Sequence, residues 1–140
     1  MLGYVTLDKG NKYMYDKDNV FAKIARGEIP TTPIVQNEHA LSFRDINPLC
    51  ATHVLIIPRG EYENILDFVQ HASSAEQEGF WACFRETAEK LGVDANYNVS
   101  ANAGADAPIM GQSVMHFHLH LIAGAPNPLL KKIFQCKAEQ

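Results

Sequence analysis

His116-Phe117-His118-Leu119-His120-Leu121-Ile122 alternates imidazole with apolar side chain more strictly than any other stretch of the chain. Successive side chains of a β-strand point to opposite faces. The pattern therefore predicts a strand over residues 114–122 that buries Phe117, Leu119 and Leu121 and presents His116, His118 and His120 on one surface. Cα atoms two apart on a strand lie ~6.6 Å from each other, near enough for adjacent rings to meet through hydrogen bonds or one shared substrate. A single histidine is ordinarily a satisfied structural residue. Three adjacent imidazoles depress one another's protonation and gain nothing for packing, so the spacing points to chemistry.

Outward from that strand, segments 33–36, 39–45 and 52–58 are rich in Val, Ile, Leu and Phe and are separated by turn residues such as Asn37-Glu38 and Asn47-Pro48. Tyr97-Asn98-Val99-Ser100-Ala101 alternates more weakly and completes a set of strands. Val20 to Arg26 carries apolar residues at helical spacing and stops at Gly27. A short helix is expected near 62–70, with Ile65, Leu66 and Val69 turned inward. A longer helix starts at Ser74, with Gln77 as its capping-box partner. Phe80, Trp81, Phe84, Ala88 and Leu91 lie on one face of it, and Gly92 ends it. The arrangement is α+β around an antiparallel sheet.

With 140 residues and 46% hydrophobic content, the chain suits one packed domain, and no linker or repeat divides it. Residues 1–18 read as an extension, either an arm or a hairpin turning at Asp8-Lys9-Gly10-Asn11. No apolar run approaches the ~20 residues a membrane span needs, and the first residues lack the basic start of a secretory signal. Cys50, Cys83 and Cys136 are an odd set with no CxxC pair, which argues against a disulfide scaffold and for a cytoplasmic setting. The net charge of −4 supplies no basic field for nucleic acid or an anionic membrane. An anionic ligand must then be held by local geometry.

Two chemistries compete for the histidines. HxH on a strand is a common metal-ligand spacing, and neutral imidazole is a good zinc donor. Pro108 to Lys137, however, holds no Asp or Glu to support ligating imidazoles. The other chemistry is nucleophilic catalysis by a neutral imidazole whose neighbours fix its tautomer and handle protons. Gly111-Gln112-Ser113 offers backbone N–H groups and a hydroxyl able to cradle a phosphate without Lys or Arg, and favours the nucleophile.

The run from His116 to Ile122 resembles the signature of the histidine triad (HIT) superfamily of nucleotidyl hydrolases and transferases. Upstream blocks are similar to its Hint branch: Val20-Phe21-Ala22-Lys23-Ile24, Gly27-Glu28-Ile29-Pro30, Leu41 to Pro48, and Thr52-His53-Val54-Leu55-Ile56-Ile57-Pro58. The resemblance implies a HIT domain over 19–125 with a C-terminal tail over 126–140. It implies a five-stranded antiparallel sheet with two main helices, paired as a homodimer. It further implies cofactor-free, metal-independent hydrolysis of purine nucleotide conjugates such as adenosine phosphoramidates. His118 matches the nucleophile, His116 and His120 its orienting and proton-handling neighbours, and His53 a further histidine behind them. Asp45 matches a ribose-binding carboxylate. Phe21, Ile24, Phe43 and Ile46 match the base pocket, and Asn102, Gly111 and Ser113, with Gln112 between them, match the phosphate loop.

Read without the resemblance, Asp45 is a turn residue before Asn47-Pro48, Phe43 and Ile46 are core, His53 is structural and Asn102 serves a loop. His39 and His71 read as surface residues. Some bacterial relatives carry two cysteines at the positions of Asn19 and Ala22, which hold a structural zinc; no such zinc is expected here. The loop from Asn102 to Gly111 is longer than usual. The Trp-Pro-Pro-Gly ending typical of the branch is replaced by Ala125-Pro126-Asn127-Pro128-Leu129-Leu130, which leaves the leaving group open. A nucleotide-binding adaptor with weak turnover and a metal-dependent hydrolase are the alternative functions.

Overall fold

Residues 53–58 are all buried, so the strand that holds them must be covered on both faces. The computed structural model, which describes residues 15–128, makes that strand the middle of a five-stranded antiparallel sheet. The strands are β1 (Val35–Gln36), β2 (Ala40–Arg44), β3 (Cys50–Pro58), β4 (Tyr97–Ser100) and β5 (Leu119–Pro126), in the order β1-β2-β3-β5-β4. Period-two alternation divides their side chains between two layers. Val54, Ile56, Leu119 and Leu121 join Phe68, Phe80, Cys83 and Phe117 in the larger core. Leu41, Phe43, Leu55 and Ile57 face the other way, against Phe21, Ile24 and Ala25.

Three helices complete the described residues: α1 (Val20–Ala25), α2 (Ile65–His71) and α3 (Ser74–Leu91). Only α3, with 18 residues, is long, so the expectation of two main helices gives way to one long helix and two short ones. Asn19 caps α1 by accepting the Ala22 N–H at 2.8 Å. Arg59 ties the other end of α1 to the sheet, donating to the carbonyls of Ala25 at 3.2 Å and Asn37 at 2.9 Å. No helix among the described residues is long and apolar enough to cross a membrane.

Several local expectations shift. The capping box of α3 uses Ser73 and Glu76, one residue before the expected pair: Glu76 N–H reaches Ser73 Oγ at 3.1 Å, and Ser73 N–H reaches Glu76 Oε1 at 3.2 Å. Gly92 ends the helix with φ of 68°, a conformation glycine adopts without steric cost. Trp81 is 43% exposed, because Phe80, Cys83 and Thr87 set the buried face of α3. In α2 Phe68 is buried and Ile65 packs partly against the same core as expected, whereas Leu66 and Val69 are 60% and 49% exposed. Phe68 stacks within 5.3 Å of the rings of Tyr62, Phe80 and Phe117, so aromatic packing sets the phase of this short helix.

The largest correction concerns the histidine strand, expected over 114–122. β5 begins at Leu119, and residues 116–118 approach it without ladder pairing: the Phe117 N–H goes to the Tyr62 carbonyl at 2.7 Å instead. At its far end β5 runs through Pro126, and Asn127 N–H closes on the Leu49 carbonyl at 2.8 Å. The expected N-terminal hairpin and the tail beyond residue 128 lie outside the described residues.

Phe68→Ala is expected to cost about 3–5 kcal/mol in urea denaturation, the usual cost of emptying an aromatic site in a packed core. Leu66→Ala, two residues away and on the wet side of the helix, is expected to stay within about 0.5 kcal/mol of the wild type.

Candidate functional site

The register of the sheet gathers the candidate residues on the α1 face. Phe43 pairs with Leu55 and Leu55 with His120, so these three side chains form a row across the sheet. His53 lies two residues before Leu55 and shares its face. Asp45, just past β2, donates its N–H to the His53 carbonyl at 3.0 Å and so stands beside His53. On the α1 side, Phe21 meets Phe43 edge-on at 5.7 Å and His118 at 4.9 Å. His118 meets His120 at 5.0 Å, and His120 meets His53 at 5.1 Å.

Main-chain partners fix the tautomers. A carbonyl only accepts, so the 2.8 Å contact from His118 Nδ1 to the His116 carbonyl places the proton of a neutral ring on Nδ1 and leaves a lone pair on Nε2. His116 is set the opposite way: its Nε2–H donates to the Pro58 carbonyl at 2.8 Å, and its Nδ1 accepts from the Tyr15 hydroxyl. His53 Nδ1 accepts the Leu49 N–H at 2.9 Å, so its proton is on Nε2, directed at His120 Nδ1 at 2.9 Å with Asp45 Oδ2 at 3.3 Å. His120 then carries its proton on Nε2.

Burial sets the charge state. It pushes His116 and His120 down from 6.5 to about 4, and the neighbouring His118 and His53 push His120 further in the same direction. His118 and His53 are lowered by burial as well, with Asp45 acting the other way on both. All four rings are neutral near pH 7, the state in which an imidazole nitrogen with an unshared lone pair, such as His118 Nε2, is able to act as a nucleophile.

The pocket residues divide. Phe21, Ile24 and Phe43 form one apolar wall with Leu41 and Leu55. Ile46 is 90% exposed and stands apart from that wall. Asn102 is half-buried, two residues after Ser100, the ladder partner of His120. Ser113 is exposed. Gly111 approaches the backbone so closely that a Cβ would sit 2.1 Å from the Ala105 oxygen. Gln112 departs from its expected role as a phosphate contact. Its N–H is spent on the Gly104 carbonyl at 2.9 Å. Its buried side chain accepts from Gly104 N–H and donates to the Glu63 and Val114 carbonyls. It ties the long loop shut, a job that its position beside Gly111 and Ser113 concealed. His39 is part-buried against Gly79, and His71 is exposed, bonded to Asp67 at 2.7 Å.

The metal reading weakens on geometry. The HxHxH set does not converge, because both ring nitrogens of His116 are bonded elsewhere. Asp45, His53 and His120 do bring ligand atoms within 4.8 Å of one another. Metal-bound histidines, however, donate their other ring N–H outward. His53 Nδ1 faces the Leu49 N–H, itself a donor, so a cation on Nε2 would have to bind an imidazolate.

Sequence reasoning missed the groups that fix these rings: the Tyr15 hydroxyl, the Pro58 carbonyl and the Leu49 N–H. Main-chain groups leave no trace in residue type, and Tyr15 lies in a segment without periodicity.

The HIT domain family model matches residues 26–127. An uncharacterized 13.2 kDa HIT-like protein of Azospirillum brasilense is 44% identical over 120 residues, covering 84% of this chain and 96% of the relative. The structure of a histidine triad protein from Clostridium difficile superposes with a TM-score of 0.66 at 32% identity, over 81% of this chain and 96% of that one. A HIT family hydrolase from Legionella pneumophila does so with a TM-score of 0.65 at 36% identity, over 75% and 91%. A matching family model, near-full-length relatives and solved structures of the same fold agree, and the chain belongs to the HIT family.

Proposed function

We propose that the protein hydrolyses purine nucleoside monophosphate conjugates, adenosine phosphoramidates in particular, through a nucleotidyl intermediate on His118. The observation that carries this reading is the His118 Nδ1–H bond to the His116 carbonyl, which leaves Nε2 of a neutral, buried ring free to attack. Attack on the α-phosphorus forms an Nε2–P bond. The bond from phosphorus to the leaving nitrogen breaks, and its electron pair departs with the amine, which takes up a proton. Water then cleaves the Nε2–P bond and releases the nucleoside monophosphate. His120 and His53 handle protons, with the Asp45 carboxylate stabilising any positive charge on the pair. Phe21, Ile24 and Phe43 receive the base, Asp45 the ribose hydroxyls, and Asn102 and Ser113 the phosphate.

The same reading has the protein acting in the cytoplasm as a homodimer. Support for the dimer comes from edge strand β4, whose four residues are all exposed, Tyr97 and Val99 among them. Such an edge pairs readily with a second copy of itself.

His118→Asn is expected to abolish both turnover and trapping of a nucleotide on the protein while leaving nucleoside monophosphate binding measurable; normal turnover in this variant would refute the nucleophile. Asp45→Ala is expected to raise KM more than it lowers kcat, because a ribose contact is made in ground and transition states alike. Substrates without ribose hydroxyls should not register that change.

The lowered histidines also fix the pH response. Turnover is expected to hold level from pH 8 to below 6.5 and to fall only on further acidification; an acid limb centred at or above 6.5 contradicts the buried neutral site. For stability, the unfolded chain binds protons below 6.5 that the folded rings refuse. The contribution of these rings is therefore complete above 6.5 and is lost as pH falls toward about 4. His116 alone accounts for a loss of about 2 kcal/mol by pH 5, read as a lower urea midpoint than at pH 7.5.

A further inference from the structure

Tyr15 and His116 are 101 residues apart in sequence and joined in the interior, where Tyr15 is 6% exposed and His116 wholly buried. Their rings meet edge-on at 5.8 Å. Because Nε2–H of His116 is committed to the Pro58 carbonyl, its Nδ1 can only accept, and the phenol is the donor. Burial raises the Tyr15 hydroxyl above its ordinary value, which keeps it protonated. The carbonyl of this same His116 holds the Nδ1–H of His118.

Residues 116–118 precede β5 and lack its ladder pairing. Their position therefore depends on a few anchors: Phe117 N–H on the Tyr62 carbonyl, His116 Nε2–H on the Pro58 carbonyl, and the Tyr15 hydroxyl on His116 Nδ1. We propose that Tyr15 is a positioning residue for His118, acting through His116: its hydroxyl locks the tautomer and orientation of the buried ring whose carbonyl aims the nucleophile. This rests on the reading of His118 as nucleophile, and it draws a residue ahead of the matched family region into the active centre.

A phenylalanine at this position keeps the packing and removes only the O–H. Nδ1 of His116 would then be a buried acceptor without a partner. The ring escapes that state by moving its proton to Nδ1 or by turning, and either change releases the Pro58 carbonyl and frees the segment that holds His118.

The test compares full-length wild type, Tyr15→Phe and Tyr15→Leu. In Tyr15→Phe, single-turnover transfer of the nucleotide from an adenosine phosphoramidate to the protein is expected to slow roughly 10- to 100-fold, the scale of a misaligned reacting group. AMP affinity should stay within about twofold, since binding is made elsewhere. Wild-type transfer by Tyr15→Phe alongside a slow Tyr15→Leu would overturn the proposal and leave Tyr15 a packing residue. Nitrogen NMR of the imidazoles needs no variant. His116 in the wild type must show an unprotonated, hydrogen-bonded Nδ1 and a protonated Nε2; a protonated Nδ1 overturns the proposal whether or not Tyr15→Phe folds. Failure of the wild type to form any nucleotidyl intermediate would sink the functional reading instead. The His118 Nδ1–H signal, kept in the wild type and lost or shifted in Tyr15→Phe, would still decide whether Tyr15 holds that ring.

Discussion

The hydrogen bond from His118 Nδ1 to the His116 carbonyl, 2.8 Å within one stretch of backbone, is the constraint on which the site depends. It can form only if residue 116 is held still, and the fold holds it from several sides: through Pro58 at the end of the central strand, through Tyr15 ahead of α1, and through Phe117 in the aromatic core. An imidazole in water exchanges tautomers freely. Here the protein has chosen the tautomer before any substrate arrives, which is the structural content of preorganisation.

The two faces of the sheet divide the work. The face under α3 packs Phe68, Phe80 and Phe117 with the aliphatic strand residues and contributes mainly stability. The face under α1 is thinner, with one apolar wall and a row of imidazoles beside it. That division places titratable groups where burial keeps them neutral while leaving one side of the row with only a short helix above it.

Much of this was legible in the sequence for a physical reason. Alternation of imidazole and apolar side chain forces Phe117, Leu119 and Leu121 to one side whatever the strand boundaries are, and all three are in the core. The turn residues separating 33–36, 39–45 and 52–58 likewise mark β1, β2 and β3 closely. What failed was what side-chain type does not encode. The start of β5 is decided by where the Phe117 N–H goes, and the phase of α2 by three rings that come from other elements. Gln112 was misread because a buried amide and an exposed phosphate contact have the same residue type, and only the loop's closure separates them.

Asp45 shows how two readings of one residue are compatible. As a turn residue it accepts the Asn47 N–H on Oδ1 at 2.8 Å, which orients the carboxylate; Oδ2 lies 3.3 Å from His53 Nε2. An ionised carboxylate has about four acceptor positions, so these two partners leave capacity for two hydroxyl donors. The turn therefore presents the carboxylate that the proposed ribose contact calls for, and the contact with His53 links that group to the imidazole pair beside His118. Sequence reasoning set the turn and the ribose contact against each other because each explains an aspartate by itself. In the folded chain the turn bond holds the carboxylate in place, and the ribose contact proposed for Asp45 uses the acceptor positions that remain.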